Sequence, residues 1–314
     1  MENFQDRVEQ GLNETRMLML GAQVLLGFQY QAVFQAGFHR LDLVYQYLDV
    51  AALFLLVIAV GLLLVPAQYH QLVEEGQDTP AFDRLLSGIL HSAAYPFALA
   101  LGADLAIASS RLLPSFLAAG IGMLAAATSV LAWYGSARRH RTSTIHHHKR
   151  SPMSIPTPPG TTSVEKKVEQ VLIEARVVLP GVQALLGFQF VVVLTDSFER
   201  LPPLSQYVHL ASLGLMALAM ILLMTPAAYH RVAEEGHDTE HFQRLAGRLL
   251  MAATLPLALG CAGDLYVVTA MVTQSQQGAV TISLAAMIVL LGLWFGMPLY
   301  CRRTKRAFPV IHGS

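Results

Sequence analysis

The chain has 314 residues, of which 54% are hydrophobic and only 13% charged, with a mean hydropathy of +0.47. Soluble domains carry about 25% charged residues, so too little polar side chain is present to coat a soluble globule; disordered, collagen-like and disulfide-built classes are excluded too. Lys and Arg together number 21, as do Asp and Glu, and the two cysteines have no CxxC spacing, so neither nucleic acid nor a redox compartment is indicated.

In chain order, a short leader over residues 2–13 comes first. Phe4, Val8 and Leu12 repeat at i, i+4, i+8, which predicts one apolar stripe on a helix lying flat on the inner leaflet. Met1–Arg16 is polar and charged, without the apolar core of a cleavable signal peptide. Apolar stretches follow at residues 17–38, 50–68, 86–110 and 112–137, and again at 177–197, 208–228, 249–273 and 279–300. Each is long enough for a helix to cross a hydrocarbon layer of roughly 30 Å at about 1.5 Å per residue. Between the two groups, residues 138–163 carry Pro152, Pro156, Pro158, Pro159 and the run His146–His148, and read as an extended linker rather than a metal site. Val164, Val168 and Leu172 then repeat the leader pattern.

The chain is one unit written twice. A constant shift of 160 residues lays Gly21-Ala-Gln-Val-Leu-Leu-Gly-Phe-Gln29 on Gly181-Val-Gln-Ala-Leu-Leu-Gly-Phe-Gln189, and Pro66-Ala-Gln-Tyr-His70 on Pro226-Ala-Ala-Tyr-His230. Identity is dense over 14–110 and falls away over 111–137. The expected fold is therefore an all-α integral membrane protein with eight transmembrane helices in two parallel four-helix repeats, 1–137 and 164–314, joined by 138–163. Four spans per unit put both copies in one orientation, with an expected pseudo-two-fold axis along the membrane normal and a self-complementary interface built by the first three helices. The drifted fourth helices are expected to face lipid. With the N-terminus inside, every Lys and Arg except Arg40, Arg111 and Arg200 falls on the cytoplasmic side, so both termini are expected there.

Polar positions present in both copies sort into belts. The cytoplasmic belt holds Glu14, Arg16, His70, Glu74, Glu75, Asp78 and Arg84, matched by Glu174, Arg176, His230, Glu234, Glu235, Asp238 and Arg244. His70 with Glu74, and His230 with Glu234, are i, i+4 pairs that would share a helix face and, with Glu14, hold a divalent metal. A structural role is favoured, because Gly76, Thr79 and Pro80 read as a helix stop followed by a helix start. The outer belt holds Arg40, Gln46 and Asp104, with Arg200, Gln206 and Asp264. Between the belts only Gln23, Gln29, Gln183 and Gln189 are shared, as helix glue or as the lining of a polar path in line with Arg16 and Arg176. His91 meets Met251, and Pro96 and Pro256 fall midway along the third helices. No nucleotide-binding, nucleophile-elbow, zinc-protease or haem-attachment motif is present, and no cofactor is expected.

Glu14-x-Arg16, Gly21-x-Gln23-x3-Gly27-Phe28 and Pro66-Ala-x-Tyr69-His70, with Glu174, Arg176, Gly181, Gln183, Gly187, Pro226 and His230, resemble the bacterial membrane family named domain of unknown function 6328. The resemblance covers both halves, without the linker and the fourth helices, and implies a bacterial inner membrane and a four-helix unit, here duplicated; it implies no activity. Three functions stay open: a passive pore or small-solute or ion pathway at the repeat interface, a non-catalytic accessory or assembly subunit, and a metal-assisted or lipid-modifying enzyme at the inner belt. The first two rank ahead of the enzyme. The expected partners are the lipid bilayer and, for an accessory subunit, a protein at the loops around His70–Arg84 and His230–Arg244.

Overall fold

The computed structural model describes residues 4–74, 77, 79–143, 164–232 and 239–307; side chains at 4–11, 13–14, 132–143, 164–166, 231–232 and 305–307 are outside the description. Residues 144–163 of the linker, with His146–His148, are outside it as well, whereas 138–143 continue the fourth helix of the first half; Glu75, Gly76, Asp78, Glu234, Glu235, Asp238 and the side chain of Glu14 are outside it too. Among the described residues there is no strand. The helices are α1 (Phe4–Ala32), α2 (Leu43–Leu72), α3 (Pro80–Ser110) and α4 (Ser115–Ser143) in the first half. The second half holds α5 (Val164–Val192), the short α6 (Asp196–Glu199), α7 (Pro203–Val232), α8 (Glu240–Thr273), α9 (Gln276–Leu291) and α10 (Met297–Ala307). Six helices are long and apolar enough to cross a membrane, at Leu43–Leu72, Pro80–Ser110, Lys167–Val192, Pro203–His230, Glu240–Thr273 and Gln276–Thr304, and Ser115–Leu131 is a shorter apolar helix.

Local chemistry explains where these helices start. Thr79 precedes α3 in extended conformation and its hydroxyl accepts from the Phe82 N–H at 3.2 Å, with Pro80 in the first turn, where its missing N–H costs nothing. Thr239 caps α8 through Phe242 in the same way at 3.0 Å, and Ser275 caps α9 through Gly278. The leader stripes, however, do not form separate surface helices. Each is the continuous start of α1 or α5, because no residue interrupts the backbone hydrogen-bond ladder before the span. Of the stripe residues whose side chains are described, Leu12 packs with Tyr69, Phe82 and Leu86, and Val168, beside Val171, packs with Phe242 and Ala246.

One apolar core runs through both halves, from Leu26, Leu53 and Val57 to Leu185, Leu257 and Leu265. The contact between the halves is not reciprocal, which corrects the expected two-fold relation. Helix α1 lies along α5, and α2 packs on α8, whereas the counterpart pair α3 and α7 makes no comparable contact. A Cβ added at Gly181 would run into the Gln23 side chain, yet nothing lies within 4 Å of the same point on Gly21. Likewise Phe188 fills the space over Gly27, while the space over Gly187 is open. The halves meet through different faces, head to tail. A self-complementary patch would cover both members of each pair.

The fourth helices also differ. Helix α4 packs on α3, whereas the fourth helix of the second half reaches across to α2. Between α9 and α10, the π-helical turn Gly292–Gly296 carries Trp294, fully buried, whose indole N–H donates to the Gly61 carbonyl at 2.7 Å. Gly61 permits this approach: a Cβ there would stand 2.7 Å from Leu290 Cδ2. Trp294→Phe, which removes the hydrogen bond and leaves a void, should lower stability by about 1–3 kcal/mol. Gly61→Val should do so by a similar amount through overpacking. Unfolding midpoints in detergent measure both, and unchanged midpoints would show that this anchor carries no load.

Candidate functional site

Two polar clusters interrupt the apolar interior, one near each end of the bundle. At the end bearing the loops after α1 and α5, the same side-chain bond occurs in both halves. The Gln29 amide donates to Asp104 Oδ1 at 3.0 Å and also to the Asp49 backbone carbonyl at 3.3 Å. The Gln189 amide nitrogen lies 2.7 and 2.6 Å from the two carboxyl oxygens of Asp264. Each glutamine thus ties the first helix of its half to the third. A polar group shielded from water needs such a partner, because leaving it unpaired costs about 1–3 kcal/mol.

The two networks then diverge. Where the first half has Asp49, the second has His209, fully buried. His209 Nε2 is 3.0 Å from the Gln189 backbone carbonyl, which can only accept, so Nε2 carries the proton. In the neutral ring Nδ1 is therefore the acceptor for the Tyr30 hydroxyl, 2.6 Å away across the boundary between the halves. The two rings are parallel to within 1° and Phe198 presses on the imidazole at 5.3 Å. Beside this chain, Tyr30, Leu53, Cys261 and Asp264 line a cavity with room for about one water molecule.

This geometry redraws the outer belt. Asp104 and Asp264 do not stand with the surface arginines; they turn inward to the glutamines, and Asp264 is buried. Arg40 and Arg200 are exposed, and the Arg40 carbonyl accepts from Arg111 at 3.5 Å. Gln46 and Gln206 brace loops, donating to Leu41 at 2.9 Å and to Phe198 and Leu201 at 3.2 Å. Nor do the four shared glutamines line one path. Gln23 is fully buried against Gly181, Gln183 is exposed on an outer groove, and Gln29 and Gln189 face their own halves.

At the opposite end, His70 Nδ1 lies 3.9 Å from Glu174 Oε1, with both side chains buried. His70 thus faces a glutamate of the second half across the boundary between the halves. Glu74 is also buried, and Arg16 is buried while its counterpart Arg176 is exposed. Among the described residues no group of three or more His, Cys, Asp and Glu could hold a metal ion. His70 packs on Phe82 at 4.7 Å and His230 on Phe242 at 4.6 Å, so both histidines brace the start of a third helix. A polar cavity of about 470 Å³ opens between the halves here, lined by Gln71, Lys167, Arg244, Arg248 and Arg302 with Glu240. Arg244 pairs with Glu240 at 3.8 Å. The excess of cations suits an anionic headgroup at the membrane surface.

Tyr30, Asp49 and His209 escape a search for polar residues identical in both copies. Asp49 and His209 share one position and are both ionisable, so comparing chemistry rather than letters finds them. Tyr30 meets Phe190 and leaves no such signal. Tyr30→Phe should lower stability by about 0.5–1.5 kcal/mol, since it deletes one hydrogen bond. Gln189→Leu should cost more, about 1–3 kcal/mol, because the buried Asp264 carboxyl loses its donor. The order of the two unfolding midpoints checks this; the reverse order would count against a donor role for Gln189.

The fold and its buried polar ties define an all-helical membrane protein. The sequence matches the model of the Family of unknown function (DUF6328) twice in succession, over residues 2–149 and 160–298, so the chain belongs to that family and carries it as a tandem duplication. No curated protein and no solved structure matches it.

Proposed function

We propose that this chain is an eight-span protein of a bacterial inner membrane. Its two repeats insert in the same direction, both termini lie in the cytoplasm, and it serves as a non-catalytic assembly subunit. The observation that carries the assembly role is the apolar core that the halves share: side chains of both pack together from Leu26 to Leu265, and the cavity beside Tyr30 has room for only about one water. A solid joint of this kind suits holding neighbours in register. The orientation is supported by the confinement of Lys and Arg, apart from Arg40, Arg111 and Arg200, to one side of the expected topology.

A pathway for small solutes or ions between the halves is the second possibility, favoured by the Tyr30–His209–Gln189–Asp264 chain lying on their boundary. Proteoliposomes separate the two. The assembly role predicts no flux above protein-free vesicles across a panel of ions and small solutes. A selective flux that disappears in Gln29→Leu with Gln189→Leu would replace it with the pathway. For topology, Arg40→Cys and Arg200→Cys should both react with an impermeant maleimide from the periplasmic side only. Reaction of the two from opposite sides would overturn the parallel insertion.

A further inference from the structure

The joint between the halves has two sides, and the duplication supplies a second pair of the same two sides, which the chain itself covers only in part: Leu25 packs on the core, and the outer ring of Phe28, 56% exposed, touches Phe188 at 4.4 Å. The receiving side is the face of α1 and α2 around Gln23, Gly27, Tyr30, Leu53 and Val57. The inserting side is the face of α5 and α8 around Gly181, Leu185, Phe188, Cys261 and Leu265. Shifting the receiving side by 160 residues gives Gln183, Gly187, Phe190, Leu213 and Ala217, and these residues line an open apolar groove of about 490 Å³ between α5 and α7. Shifting the inserting side back gives Gly21, Leu25, Phe28, Leu101 and Leu105.

Exposure follows the pairing residue by residue. Tyr30 is 2% exposed but Phe190 is 58%; Leu265 is 0% but Leu105 is 40%. Gln23 is fully buried, whereas Gln183 presents its amide at the surface of a membrane-spanning helix. Lipid tails give an amide no partner, while small residues such as Gly21 let a neighbouring helix come close enough to cover it.

We propose that a second copy of this chain seats its α1–α3 face in the α5–α7 groove, so that chains join by the same head-to-tail contact that joins the halves within one chain. Gln183 then lies over Gly21 of the neighbour, and Phe28 of the neighbour fills the space over Gly187, as Gln23 lies over Gly181 and Phe188 over Gly27. A head-to-tail contact between units inserted in one direction runs around an axis normal to the membrane and ends only when the ring closes. Two chains are the smallest closed set, each groove taking the other chain's face, with four repeats around the axis and α1 and α5 innermost. The contact between chains differs at one point: Ile221 stands where Gly61 receives Leu290 and Trp294, so the neighbour's fourth helix stands off there.

The proposal rests on parallel insertion, which the maleimide labelling tests separately. Within one chain Leu105 and Ala217 sit on helices that do not pack together, whereas their counterparts Leu265 and Val57 line one cavity. Chains carrying Leu105→Cys and chains carrying Ala217→Cys, with distinct tags and Cys301→Ser in both, are co-expressed and oxidised in native membranes. A disulfide-linked dimer bearing both tags, absent when either variant is expressed alone, is the expected result. Gly21→Leu should then lower the cross-linked fraction by about tenfold, the effect of bulk placed in a packed helix contact. Nothing within the chain lies within 4 Å of that position, so the monomer's unfolding midpoint should not move. If both loops label from the periplasm and the chain still yields only monomer, the groove faces lipid and the docking is overturned. A cross-link indifferent to Gly21→Leu overturns this geometry as well.

Discussion

Everything in this structure depends on how α2 is buried. It is the most hydrophobic of the candidate spans, and Leu53, Leu56, Val57, Val60 and Leu64 are almost wholly enclosed. One side takes α1 and α3 of its own half; the other takes α8 and the turn carrying Trp294. Lipid tails are as apolar as leucine, so no hydrophobic drive brings two such helices together. Close packing and the few available hydrogen bonds must do so. Gly61 supplies both: space for Leu290 and a carbonyl for Trp294.

The same economy governs the polar groups. With almost no charge to spare, the chain places its buried side-chain bonds where they join elements. Gln29 and Gln189 tie first helices to third helices, and Tyr30 and His209 tie one half to the other; at the opposite end His70 and Glu174 face each other across the boundary at 3.9 Å. At a few positions of the joint the two halves differ. Asp49 stands where the second half has His209, and Tyr30, buried on His209, stands where the second half has the exposed Phe190.

Tandem duplication is usually expected to fuse a symmetric dimer. Here the fused pair is a head-to-tail step instead, and one receiving face and one inserting face are left over. That asymmetry also explains why the second half's fourth helix reaches across to α2, a helix of the other half, while α4 packs chiefly on α3 of its own half.

Helix positions, the duplication and the family were legible from residue order, because apolar runs, Thr and Pro start signals and a constant 160-residue register are all local or linear properties. So was the pairing of belts by copy, although residue order places Asp104 and Gln29 at different depths and the fold brings them within 3.0 Å. The faces that meet were not legible. Gly21 and Gly181 sit in nearly the same local sequence, yet one is open and the other covered by Gln23. A helix wheel identifies a small-residue face but not its partner, since equal sequences can pack equal faces or unequal ones. Residue order alone determined that two similar units lie in a membrane. Only tertiary packing decided that they join head to tail, because which face is filled depends on the fit of side chains distant in sequence.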